Sequence, residues 1–256
     1  FKPRRGGSVS PAGPVPTGSD KLQINTVSLT TSRHQAPGCG HDPLVLVMLP
    51  GAKMVSEDYL SHGFLEVIRR RGWPIDVVLV ETGLAGYLAD DLAERLHQEV
   101  VSPLVAGGAK RVWLSGISVG GFGALRYVQR YPGMIEGLLL IAPFLGSGGL
   151  IAEIESVGGL AAWYPTAVAE SSPQRQVFSW LKHYRAVDQS WPAIHLAYGE
   201  TDRFAAAHRL LAKLLPRGRV TTMNGGHDWD TWEILWEKIV ETEPFTQEAV
   251  LTNAPN

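Results

Sequence analysis

The sequence has little cysteine, little imbalance of charge and no long apolar run, and each shortage excludes a class of protein. A single cysteine, Cys39, in 256 residues excludes an internal disulfide. A formal net charge of −2 offers no basic surface for nucleic acid or an anionic membrane. No apolar run reaches the roughly 18 residues that a bilayer span requires, so no stable membrane insertion is expected. We therefore expect a soluble protein.

Location and assembly are not indicated. The chain starts at Phe1 rather than methionine, which predicts a trimmed or processed N-terminus, and both a cytoplasmic and an exported location stay open. Nothing in the composition indicates an oligomeric state.

Motifs for metals, dinucleotides and nucleotide phosphates are absent as well. There is no H-E-x-x-H, and Cys39-Gly40-His41-Asp42 is a single weak cluster of metal-binding residue types. No G-x-G-x-x-G opens a helix after the first strands, and no glycine-rich turn continues into Gly-Lys-Ser/Thr. We predict no metal site and no cofactor.

Apolar runs of strand length alternate with segments of helical periodicity. Most of the runs are continuous rather than alternating, which is typical of strands buried on both faces of a parallel sheet. The pattern therefore predicts an α/β fold with a mostly parallel, doubly wound sheet. The predicted strands cover residues 22–31, 44–51, 75–81, 111–117, 134–144, 193–200 and 219–224. Two of the predicted helices carry apolar faces made of Leu60, Phe64, Val67 and Ile68, after a cap at Ser56, and of Leu88, Leu92, Leu96 and Val100.

Composition also divides the chain into a core, an insertion and two tails. Residues 1–20 are rich in Pro, Gly and Ser and are predicted to be a flexible tail. Residues 145–190 separate two strands by more than an ordinary connection, so they are predicted to form a helical cap insertion over one end of the sheet. The core then comprises residues 21–144 and 191–244, followed by a C-terminal tail at 245–256.

Ser118 lies in the pentapeptide Gly116-Ile117-Ser118-Val119-Gly120, directly between a predicted strand and a predicted helix. A serine on such a turn is exposed at the edge of the sheet, and the glycines relieve crowding between strand and helix. The helix N-terminus would favour developing negative charge. The pentapeptide alone is equally consistent with a glycine-rich turn that contains a capping serine.

A serine nucleophile needs a base, an acid that orients the base, and donors for the oxyanion. His227 follows the last strand behind two glycines, and Asp202 follows the preceding strand, with Glu200 as the second choice for the acid. The alternatives are a helix-capping or surface histidine and an aspartate that caps the next helix. The N–H of Val119 and, after Leu49-Pro50-Gly51, the N–H of Ala52 are the candidate oxyanion donors.

Taken together, these parts occur in the order Ser, Asp, His, each at the end of a different predicted strand. The chain resembles the serine esterases of the α/β-hydrolase fold over about residues 22–241, and within them the esterase-D-like and feruloyl-esterase-like branch. The motifs that carry the resemblance are GISVGG, YGETD, GGHDWDTW and the segment YLADDLAERL. The loop after the strand 44–51 departs from the family because Pro50-Gly51 replaces its frequent His-Gly pair.

The resemblance implies a catalytic triad of Ser118, Asp202 and His227, a nucleophile elbow at Ser118, and an oxyanion hole at Val119 and Ala52. The expected reaction is hydrolysis of a small carboxylic ester through an acyl-enzyme. Acyl transfer, thioester cleavage and non-catalytic binding on the same scaffold are the alternatives. Aromatic residues over such a site would suit an apolar acyl or aryl group. The residues predicted to contact substrate are Lys53, Phe144, Trp163, Phe204 and Trp229.

Overall fold

The computed structural model describes residues 28–37, 44–165, 172–186 and 190–241. Both predicted tails, the Cys39 cluster and most of the predicted strand at 22–31 lie outside the described residues.

Seven strands of the described chain form one sheet, and every neighbouring pair is parallel except the pair at one edge. The order across the sheet is β1-β3-β2-β4-β5-β6-β7, with only β1 antiparallel to its neighbour. The prediction of a mostly parallel α/β sheet is confirmed. The strands are β1 (Thr30–His34), β2 (Leu44–Leu49), β3 (Ile75–Glu81), β4 (Arg111–Ile117), β5 (Gly137–Ile141), β6 (Ala193–Gly199) and β7 (Val220–Met223).

Helices cover both faces of this sheet. The α-helices among the described residues are α1 (Asp58–Ser61), α2 (Phe64–Arg70), α3 (Gly83–Leu88), α4 (Leu92–Leu96), α5 (Ser102–Ala106), α6 (Val119–Arg130), α7 (Gly148–Ser156), α8 (Pro173–His183), α9 (Ala205–Ala212) and α10 (Trp229–Ile239), with short 3-10 helices at Leu160–Ala162 and Arg217–Arg219. A π-helical turn, His97–Val101, joins α4 to α5.

Strand β2 shows why the central strands are apolar along their whole length. Val45 and Val47 point into a core shared with α4, α6, α8 and α9, whereas Leu44 and Leu46 point into a second core shared with α1, α2 and α10. Successive side chains of a strand point to opposite faces, so a strand covered on both faces buries every residue.

Two predicted helices are broken in the structure. The helix expected from a cap at Ser56 starts instead at Asp58, and it splits at Gly63, whose φ of +72° is left-handed. That bend allows α2 to bury Phe64, whose carbonyl accepts a hydrogen bond from the indole of Trp236 at 2.9 Å. A glycine within a helical pattern was the available signal for the break.

The second helix breaks at Ala89, which is extended between α3 and α4. Leu92, Leu96 and Val100 are buried as predicted, but Leu88 is 78% exposed. Its spacing matched the apolar face, yet Leu88 is turned to solvent at the end of α3, whereas Gly86 of the same helix is buried. The phenol of Tyr87 reaches the carbonyl of Pro50 at 2.6 Å, and this contact ties α3 to the loop after β2.

The described part of the segment 145–190 is helical. Helix α8 lies beside α6, and the side-chain amide of Gln129 donates to the carbonyl of Gln176 at 2.9 Å. Val177, Phe178 and Leu181 of α8 join the core on that face of the sheet. The division of the chain into a core and a cap stays a prediction. Across the described ranges, none of the helices has the length and apolar character needed to cross a bilayer.

Candidate active site

Ser118 lies on a strained turn between β4 and α6. Its φ of +54° and ψ of −117° are rare for a residue with a side chain, and such strain is typical of functional turns. The flanking glycines are required sterically. A Cβ on Gly116 would lie 2.3 Å from the carbonyl carbon of Gly120, and one on Gly120 would lie 2.1 Å from the carbonyl oxygen of Leu49.

His227 lies between Ser118 and Asp202. Its Nε2 atom is 3.0 Å from Oγ of Ser118, and its Nδ1 atom is 2.7 Å from Oδ2 of Asp202. The rings of Phe204 and Trp232 meet the imidazole edge-on, each with its centroid 5.0 Å away. The imidazole is thereby fixed by a hydrogen bond at each nitrogen and by two aromatic contacts.

The loop that carries His227 is held by the start of α10. Asp228 is the N-cap, and its Oδ1 accepts the N–H of Thr231 at 2.9 Å. The hydroxyl of Thr231 in turn accepts the N–H of Gly226 at 3.0 Å. These two bonds fix the backbone on both sides of His227.

Asp202 is buried just beyond the end of β6, and its carboxylate has two donors. Oδ2 faces His227, and Oδ1 accepts the backbone N–H of Phe204 at 2.7 Å. Burial alone would raise the pKa of Asp202, but these hydrogen bonds outweigh it and hold the pKa below its ordinary value. Glu200, the second choice for the acid, is exposed, and its carboxylate bonds with the hydroxyl of Thr222 instead.

The two candidate oxyanion donors lie at the ends of adjacent strands. Strands β2 and β4 pair with Leu49 opposite Gly116, so the turn at Ala52 and the start of α6 at Val119 occupy the same edge of the sheet. Within the described residues, neither the N–H of Ala52 nor that of Val119 donates to a protein acceptor. Both donors are therefore available to a ligand.

The five residues predicted to contact substrate differ in their surroundings and exposure. Phe144 and Phe204 are half-buried, and their rings pack edge-to-face with centroids 5.4 Å apart. Because Phe204 also touches His227, this pair adjoins the imidazole. Lys53 is exposed on the loop after β2.

Trp163 and Trp229 have different surroundings. Trp163 is only 2% exposed, and its indole N–H donates to Glu153 at 2.9 Å, so it leaves almost no surface for a ligand. Trp229 is half-buried, and its ring stacks on His62 with centroids 3.7 Å apart. No local sequence pattern pairs His62 with Trp229, because the two are distant along the chain.

Two other histidines are buried near the sheet. Burial, aided by the charge of Arg219, lowers the pKa of His195 to about 4, and burial lowers the pKa of His208 to about 4. His208 bonds through Nε2 to the carbonyl of Pro143 at 2.9 Å. Both imidazoles are thus neutral at neutral pH. In the part of the chain that is described, no three His, Cys, Asp or Glu side chains group together as metal ligands would.

Comparison with known proteins agrees with this architecture. A family model described as serine aminopeptidase, S33, matches residues 87–212, which include Ser118 and Asp202 but end before His227. An acetyl esterase of Caldicellulosiruptor saccharolyticus is 28% identical over 141 residues, 48% of this chain and 50% of that protein. The chain thus matches about half the length of this curated relative.

Solved structures share the fold at low identity. The fluorophosphonate-binding serine hydrolase F of Staphylococcus aureus aligns with a TM-score of 0.59 at 11% identity, over 84% of this chain and 97% of that one. A peroxisomal α/β-hydrolase of Saccharomyces cerevisiae aligns with a TM-score of 0.57 at 14% identity, over 92% and 86%. The chain has the α/β-hydrolase fold. The predicted α/β-hydrolase fold is confirmed, and the match to an acetyl esterase agrees with the resemblance to serine esterases seen in the motifs.

Proposed function

We propose that the protein is a serine hydrolase that cleaves small carboxylic esters. The observation that carries the proposal is the position of His227, which contacts Oγ of Ser118 through one ring nitrogen and the carboxylate of Asp202 through the other. A serine and a buried carboxylate joined by one imidazole are the arrangement that activates a hydroxyl for acyl transfer.

In the proposed mechanism, Oγ of Ser118 attacks the ester carbonyl while Nε2 of His227 accepts the hydroxyl proton. The carboxylate of Asp202 accepts a hydrogen bond from the Nδ1–H of His227 and stabilises the imidazolium that forms. The N–H groups of Val119 and Ala52 stabilise the oxyanion. The alcohol leaves with the proton from Nε2, and the acyl group stays on Ser118.

Deacylation runs through the same groups. Water gives a proton to Nε2 of His227 and attacks the acyl carbonyl, and the proton returns to Oγ of Ser118 as the carboxylic acid leaves. The aromatic pair Phe144–Phe204 beside the imidazole would favour an apolar acyl or aryl group, with Lys53 and Trp229 at the edge of the site. The acetyl esterase relative supports an ester as the substrate class.

The direct test is intact-mass labelling with a fluorophosphonate. The proposal requires one adduct on the unmodified protein and none on Ser118→Ala. Ser115→Ala is the matched control, because Ser115 lies on the same strand but is fully buried, so this variant should keep the adduct. No adduct on the folded, unmodified protein would overturn the proposal and favour a non-catalytic binding scaffold.

A second measurement separates hydrolysis from acyl transfer. With p-nitrophenyl acetate as substrate, added hydroxylamine or a simple alcohol competes with water for the acyl-enzyme. The proposal predicts that the free acid remains the main product. Diversion of most product to the added acceptor would show an acyltransferase.

A further inference from the structure

The peptide group between Pro50 and Gly51 is held at both of its polar ends. Its carbonyl accepts a hydrogen bond from the phenol of Tyr87 at 2.6 Å, and its N–H lies 3.0 Å from the thioether sulfur of Met54. A trans peptide directs these two groups to opposite sides, so Tyr87 and Met54 fix the orientation of the plane between them.

The next peptide group, between Gly51 and Ala52, is held at one end only. Its carbonyl accepts the backbone N–H of Met54 at 3.1 Å. Since a trans peptide points its N–H away from its carbonyl, the N–H of Ala52 is turned away from Met54. The carbonyl of Leu49, before this turn, accepts the phenol of Tyr59 at 2.7 Å. Between Pro50 and Ala52, the N–H of Ala52 is the one backbone donor without an acceptor in the described chain, because Pro50 has no N–H and the N–H of Gly51 meets Met54.

Tyr87 also connects this turn to the helix that carries the nucleophile. A Cβ on Gly123 of α6 would lie 2.9 Å from the ring of Tyr87, so the ring packs directly on α6. Burial raises the pKa of Tyr87 far above its ordinary value, and the phenol therefore remains a hydrogen-bond donor. The ring thus sets the distance between α6 and the carbonyl of Pro50.

We propose that Tyr87 and Met54 are positioning residues that together aim the N–H of Ala52 into the oxyanion hole. This inference rests on the proposed function. Neither side chain touches the reacting atoms. Each acts through the Pro50–Gly51 peptide, whose rotation would turn the N–H of Ala52 away from the developing oxyanion.

Two small substitutions test the proposal. Tyr87→Phe removes one hydroxyl, and Met54→Leu removes the sulfur acceptor at similar volume. We expect each to lower kcat for p-nitrophenyl acetate about 10-fold with little change in KM, because an oxyanion donor acts in the transition state. A trifluoromethyl ketone, which forms a tetrahedral adduct with a serine nucleophile, should lose affinity by the same factor as kcat/KM falls.

Matched controls are present in the chain. Tyr184→Phe also removes a phenol that donates to a proline carbonyl, that of Pro192, but at the opposite end of the sheet. Met48→Leu changes a fully buried methionine of β2. Both controls should keep kcat within about twofold.

The outcomes separate this inference from the proposed function. If the unmodified protein neither hydrolyses the ester nor reacts with fluorophosphonate, both fail. If it is active and Tyr87→Phe and Met54→Leu keep normal kcat, the inference alone fails. An equal loss of kcat in Tyr87→Phe and Tyr184→Phe would show a general structural effect and would also overturn the inference. So would a rise in KM without weaker binding of the trifluoromethyl ketone.

Discussion

The Nδ1 atom of His227 lies 2.7 Å from Oδ2 of Asp202, a carboxylate whose side chain has no exposed surface. In the proposed mechanism the imidazole becomes positive when it accepts the proton of Ser118, and the buried carboxylate stabilises that charge. The same bond fixes which nitrogen of His227 faces the serine.

Asp202→Asn should therefore lower kcat by about 10³ to 10⁴, as expected when the acid of such a triad is neutralised. The measurement is the rate of p-nitrophenyl acetate hydrolysis at saturating substrate. Glu200→Gln provides the comparison, because this exposed carboxylate bonds with Thr222 and should be dispensable. A large loss in the Glu200 variant with normal activity in Asp202→Asn would reverse the assignment of the acid.

The contact between Gly120 and Leu49 leads to a second prediction. Because a Cβ on Gly120 would lie 2.1 Å from a backbone oxygen, Gly120→Ala forces β2 and α6 apart. We expect it to lower the free energy of unfolding by about 3 kcal/mol and to abolish labelling of Ser118 by fluorophosphonate. Gly218→Ala, at a glycine with open space around it, is the control in the same urea titration. Wild-type stability in Gly120→Ala would contradict the close packing.

The arrangement of these groups was partly predictable from sequence. Buried parallel strands are continuous apolar runs, so β3 and β4 were predicted at the bounds that the structure gives. Parallel strands end at one edge, and order along the chain therefore indicated that Ser118, Asp202 and His227 should be compared in space.

What sequence reasoning missed depends on contacts between distant segments. The spacing of Leu88 matched an apolar face, but periodicity does not show that α3 turns toward the loop after β2. The bond from Tyr87 to Pro50 joins residues 37 positions apart, and no local pattern encodes it. An aromatic residue of the core and one that contacts a ligand have no distinguishing local pattern in the sequence. The burial of Trp163 could therefore not be predicted.

The edge-to-face pair of Phe144 and Phe204 yields a prediction about acyl preference. If these rings line the acyl side of the site, a longer acyl chain gains about 0.8 kcal/mol per buried methylene. Phe144→Ala should then reduce the preference for p-nitrophenyl butyrate over the acetate by about 10-fold in kcat/KM. The acetate reaction in the same variant is the internal control. An unchanged ratio would place the acyl group elsewhere.

The burial of two neutral histidines leads to a prediction of how the free energy of unfolding depends on pH. His195 and His208 have pKa values of about 4 in the folded chain, below the ordinary value of about 6.5 that an unfolded chain would show. Between these values the unfolded state binds more protons, so the free energy of unfolding falls as the pH falls from about 6.5 to about 4. Each histidine contributes a slope of about 1.4 kcal/mol per pH unit, which ends near pH 4.

Urea titrations across this pH range measure the slope directly. His208→Gln retains a side-chain donor for the carbonyl of Pro143 and removes one titrating group, so its slope should be shallower by about 1.4 kcal/mol per pH unit. Parallel curves for the unmodified protein and His208→Gln would mean that His208 is protonated in the fold, in conflict with its complete burial.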